Sequence, residues 1–116
     1  MNVKVDALVR IQYGTYYHDS DSLIIEYAYK IRGFKRKSGY IYLESKRNGE
    51  SYNEFTNRVI KRLESLSHDE VIELTKIKVT TDVENILKDK STDDKLKSLL
   101  KDFKTIKFTF KVKDRL

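Results

Sequence analysis

Four stretches of this chain alternate apolar and polar residues with a period of two, and that pattern limits the fold more than any other feature. The cleanest is "TIKFTFKVK" at 105–113, which sets Ile106, Phe108, Phe110 and Val112 on one side. Its other side carries Thr105, Lys107, Thr109, Lys111 and Lys113. "NVKVDALVRIQY" at 2–13 alternates Val3, Val5, Ala7, Val9, Ile11 and Tyr13 with polar neighbours. In 23–32, Ile25, Tyr27, Tyr29 and Ile31 alternate with Glu26, Ala28, Lys30 and Arg32. "YIYLES" at 40–45 is the third of the early runs. Successive side chains of a strand point to opposite faces, so each run predicts a strand with one buried and one wetted side. Short connections, the first rich in Asp and Ser and the second running from Gly33 to Gly39, join the early three into an antiparallel meander.

After Asn48-Gly49 the period becomes helical. Ser51 and Glu54 have capping-box spacing. Tyr52, Phe55, Val59, Leu63 and Leu66 then recur on one face, which predicts a helix to residue 66. Ser67 and Glu70 repeat the capping spacing, but "LTKIKVTT" is β-branched and predicts a strand at about 72–80. Thr81 and Glu84 open a short helix, and Leu96, Leu99, Leu100 and Phe103 mark another over 92–103. The expected order is β-β-β-α-β-α-α-β. This is an α+β fold: one two-layer domain over 1–116, with a mainly antiparallel sheet of about five strands and helices on one face. A chain of 116 residues fits one such domain, and neither half holds enough apolar residues to stand alone.

Charge is the next constraint. The net charge is +6, and it is placed unevenly. Residues 30–47, "KIRGFKRKSGYIYLESKR", hold seven basic residues against Glu44 as the single acid. The second basic region is the C-terminal quarter. If Ile41 and Leu43 face the helices, Tyr40 and Tyr42 share the outer face with Glu44 and Lys46. Exposed rings among cations suit a single-stranded nucleic acid, because bases stack and phosphates meet positive charge. The expected nucleic-acid contacts are therefore Lys30, Arg32, Lys35, Arg36, Lys37, Lys46 and Arg47 for phosphates, with Tyr40 and Tyr42 for stacking. The plainer reading is a solvated hairpin whose basic tip aids solubility. For the lysines of the last strand, protection of a sheet edge is the plainer reading.

Catalytic chemistry has little support. Glu44-x-Lys46 on one strand and Asp21 at the start of the preceding one look like the pattern of PD-(D/E)xK nucleases, in which carboxylates hold a divalent metal. The same spacing recurs at Asp93–Lys95 and Asp102–Lys104, so the motif comes cheaply in a chain that is 36% charged. The two histidines and the absence of cysteine leave no closed zinc site without carboxylates. His18 beside Asp19 and Asp21 reads as a polar turn, and His68 as solvated. No Gly-rich phosphate loop or nucleophile elbow is present, so no enzyme activity, cofactor or metal is expected.

No apolar run reaches the roughly 20 residues of a membrane helix, and no signal-peptide pattern opens the chain, so a cytoplasmic protein is expected. The expected function is that of a small accessory protein, of phage or mobile-element type, that binds nucleic acid. A protein that inhibits or regulates a host or defence protein is the alternative. Its acidic stretches at 50–54, 64–73 and 82–94 would then matter as much as the basic one.

Overall fold

The computed structural model describes residues 2–14, 20–89, 93, 94, 98 and 107–113. Strands β1 (Asn2–Gln12), β2 (Ser22–Tyr29) and β3 (Lys37–Ser45) precede helices α1 (Tyr52–Ser65) and α2 (His68–Lys88), and β4 (Lys107–Lys113) follows. The sheet order is β3-β2-β1-β4. β1 pairs with β2 and β2 with β3 in antiparallel fashion, as the meander requires. β4 lies beside β1 in parallel. The sheet is therefore four-stranded and mixed, where about five mainly antiparallel strands were expected.

The missing strand is the one expected at 72–80, which is the middle of α2. Two features outweigh the β-branched composition there. Val71, Thr75, Val79 and Val83 recur at a spacing of four and form a buried stripe. Burying each valine contributes about 1.5–3 kcal/mol, more than the few tenths that β-branching costs a helix. The Thr75 hydroxyl also donates to the Val71 carbonyl at 2.7 Å, and that of Thr81 to Ile77 at 2.9 Å. Each threonine thus satisfies its polar atom within the helix. The Thr81–Glu84 spacing lies inside α2 and starts no new helix. The Ser51 and Ser67 caps form as expected, each side chain accepting from an N–H three residues on at 3.1 Å. The helix expected over 92–103 lies outside the described residues, apart from 93, 94 and 98.

Both helices cover one face of the sheet. Phe55, Val59 and Leu66 pack with Ala7, Val9, Leu23, Ile25 and Val71. Val79 and Val83 pack with Val3, Val5, Tyr27, Tyr29 and Ile31. Phe108, Phe110 and Val112 of β4 join the same side. The polar positions of the strands are left on the other face. No described helix is long and apolar enough to cross a membrane.

Candidate nucleic-acid interface

Strand register decides which side chains share the outer face. Val3, Val5 and Ala7 lie in the core opposite Phe108, Phe110 and Val112. The intervening positions, Lys4, Asp6, Leu8 and Arg10 of β1 and Thr109, Lys111 and Lys113 of β4, therefore face outward. On the other side of β1, Glu26 pairs with Tyr40 and Ile24 with Tyr42 in register. Tyr40 is 45% exposed and Tyr42 57%, on the face away from the helices. Ile24, fully buried beneath this surface, lies between Arg10 and Tyr42 in register.

Glu44 does not join them. A register shift between Leu23 and Ile24 sets Glu44 opposite the core residue Leu23. An irregularity of this kind moves the alternation by one residue beyond it. The Glu44 carboxylate thus reaches Arg58 of α1, on the helical side, at 2.5 Å. Arg58 also donates to Glu50 at 2.7 Å and to the Ser45 carbonyl at 2.7 Å. This fork of hydrogen bonds holds the Glu50 carboxyl down to about 2.

The β2–β3 connection carries the central cations. Ile31 is buried and Phe34 partly buried against the core, and the Phe34 N–H donates to the Ile31 carbonyl at 2.9 Å. Gly33 supplies the positive φ of 88° that this turn needs. Lys30, Arg32, Lys35 and Arg36 project as exposed residues around these two anchors. Lys37, expected with them, instead begins β3 opposite the inward-facing Tyr29 and lines a depression on the helical side with Asp82 and Asp89, because alternation along β3 turns it away from Tyr40. None of the five makes an ion pair among the described residues. Gly39, expected to end the connection, lies within β3 opposite Tyr27. A Cβ there would meet the Tyr27 hydroxyl at 2.5 Å, so the glycine makes room for that ring.

The expected contact set is divided. Lys46 and Arg47 follow the far end of β3, about 30 Å along the strand from Lys37. The Lys46 N–H donates to the Asp21 carbonyl at 2.9 Å, and the Arg47 N–H to the Glu50 carboxylate at 3.1 Å. Three-dimensional pairing adds cations that the sequence pattern did not group with the hairpin. Arg36 and Lys113 line one depression of about 370 Å³, together with Asp6, Leu8, Glu26, Ala28 and Ser38. Lys4 and Lys30 join Arg36, Asp6 and Ala28 around an adjoining one of about 210 Å³. Arg10 donates to Glu26 at 2.7 Å, and its guanidinium stands 6.0 Å from the Tyr40 ring centroid. The two basic regions of the sequence thus meet on one surface. Alternation put these residues on the polar side of β1 and β4, but gave no sign of which strands would be neighbours.

The acids considered for metal chemistry have protein partners. The Asp21 carboxylate accepts the Gly14 N–H and the Tyr52 hydroxyl, which in that order hold its pKa below the ordinary carboxylate value. Glu44 is bound to Arg58, as described. Among the described residues no three His, Cys, Asp or Glu side chains are grouped to hold a metal ion. His18 and Asp19 lie outside the described residues, as do Lys95, Asp102 and Lys104 of the repeated acid-x-Lys spacing. His68 opens α2 as an exposed residue. No family model matches this chain, and no curated protein or solved structure is significantly similar to it.

Proposed function

We propose that the outer face of the sheet binds single-stranded nucleic acid without catalysing a reaction on it. The observation that carries this reading is the meeting of exposed tyrosines with Lys30 and Arg36, cations that make no ion pair among the described residues, on a face the described helices leave open. Tyr40 and Tyr42 offer ring surface for bases, while Lys30 and Arg36, with Arg32 and Lys35 of the adjoining turn, offer charge for phosphates. Lys46 and Arg47, beyond the register shift at the far end of β3, lie apart from this cluster. A solvated, purely solubilising hairpin gives no reason for the C-terminal lysines to converge on Arg36, as Lys113 does.

Reversing the charge of Lys30, Lys35 and Arg36 together tests it, with fluorescence anisotropy of labelled oligonucleotides across a salt series. Removing three phosphate contacts lowers the slope of log affinity on log salt by about 2 for a single strand. Unchanged affinity and slope in a folded variant reject the interface.

A regulatory protein partner is the second reading, and the position of β3 favours it. Among the described residues β3 pairs only with β2, which leaves an edge for strand addition. Against this, Glu50 and Glu70 of the acidic stretches are engaged by Arg58 and Arg62. Capture of a partner that persists after nuclease treatment and in moderate salt would favour this second reading.

A further inference from the structure

The two adjoining depressions on the outer face have an unusual division of charge. Their rim is cationic: Lys4, Lys30, Arg36 and Lys113. Their floor is small and apolar at Ala28, with Leu8 beside it, and carries the carboxylates of Asp6 and Glu26. Glu26 is taken by Arg10 at 2.7 Å. Asp6, which lines both depressions, makes no hydrogen bond or ion pair among the described residues. A bare phosphate in this trough would meet the Asp6 charge, whereas a ligand with an anionic end and a donor end satisfies both rim and floor. A nucleotide whose base carries an exocyclic amino group is such a ligand.

Building on the single-strand reading above, we propose that this trough is a base-reading subsite in which Asp6 selects bases that present an amino donor. The base lies over Ala28, its amino group donates to the Asp6 carboxylate, and its flanking phosphates meet Arg36 on one side and Lys113 on the other. Carboxylates accept from the cytosine amino group in this way in known base readout. Thymine and uracil present a carbonyl at that position and would set an acceptor against a carboxylate. Tyr40, opposite Glu26 in register, stands beside the trough to stack the neighbouring base.

The test compares oligo(dC) with oligo(dT), each about ten nucleotides long, within the site sizes found for sheet-based single-strand binders. Anisotropy titrations at neutral pH and fixed salt are made with the native protein, Asp6→Ala and Asp6→Asn, each verified by circular dichroism and thermal melting. The native protein is expected to favour oligo(dC) by about tenfold, the order of one discriminating base contact. Asp6→Ala is expected to abolish the preference, chiefly by strengthening oligo(dT) binding as the repulsive carboxylate is lost. Asp6→Asn, whose amide can turn either a donor or an acceptor to the base, is expected to narrow it. Equal binding of the two oligonucleotides by the native protein overturns this inference and leaves the single-strand reading standing. A preference that survives Asp6→Ala overturns the role of Asp6. Failure to bind either oligonucleotide overturns the single-strand reading itself.

Discussion

The hydroxyl of Tyr27 donates to the carboxylate of Asp82 at 2.8 Å, joining the second strand to the long helix across 55 residues of sequence. The Tyr29 hydroxyl reaches the same oxygen at 3.5 Å, and the two rings stack with centroids 6.3 Å apart. These tyrosines are buried, while Tyr40 and Tyr42 of the neighbouring strand are exposed. Burial first, and then the hydrogen bond and charge of Asp82, push both phenols well above their ordinary value of 10.0.

Stability should therefore fall in alkali. Well below pH 10 both tyrosines are neutral in the folded and unfolded chain alike. Above it the unfolded chain loses protons that the fold retains, so unfolding becomes easier as pH rises. Urea denaturation between about pH 8 and about pH 11 should show this decline, and Tyr27→Phe should reduce it. At about pH 8 the same substitution should cost about 1 kcal/mol through the lost hydrogen bond.

Gly39 should tolerate no side chain. Gly39→Ala sets a methyl group against the Tyr27 hydroxyl and ring, and such overpacking costs about 1–3 kcal/mol. In a Tyr27→Leu background the extra cost should shrink, since the crowding atoms are gone. A double-mutant cycle read by chemical denaturation measures this coupling. Simple additivity would show that Gly39 serves another purpose.

Acid should weaken the hold of α1 on the turn that follows β3. Arg58 lowers the Glu50 carboxyl from 4.5 to about 2, so its contribution is complete above pH 4.5 and is lost as pH falls toward 2. Glu50→Gln should flatten the dependence of melting temperature on pH within that window. Arg58→Lys should do the same, because an ammonium cannot reach Glu44, Glu50 and the Ser45 carbonyl at once.

Tyr40→Ala and Tyr42→Ala should separate binding from folding. Each ring is about half exposed, so melting temperature should change little. Loss of one stacked base costs about 1–3 kcal/mol, roughly 5- to 150-fold in affinity for single strands. Double-stranded DNA offers no free base faces and should not distinguish the variants from the native protein. Equal losses on single and double strands would contradict stacking.

Lys111→Gln with Lys113→Gln should reduce the salt dependence of binding with no loss of stability. The expected change in slope is about 1.4 for a single strand, from two phosphate contacts. If these lysines serve only to protect the edge at β4, salt dependence should stay constant and aggregation should rise instead.

Local pattern was enough to mark the four strands, both helix caps and the sidedness of β1, β2, β4 and the middle of β3, because alternation and capping need no knowledge of neighbours. For that reason Tyr27 was legible as inward and Tyr40 as outward. Three features instead waited on long-range packing. The stretch at 72–80 became helix because a valine stripe four residues apart found the sheet to pack against, a gain larger than its β-branched preference. Glu44 left the outer face because a register shift, invisible in the periodicity, turned it toward Arg58. Lys113 came to stand across a trough from Arg36 because β4 took β1 as its parallel partner. Pairing of strands that are distant in the chain is settled by how their apolar faces fit together, and no local pattern records that choice.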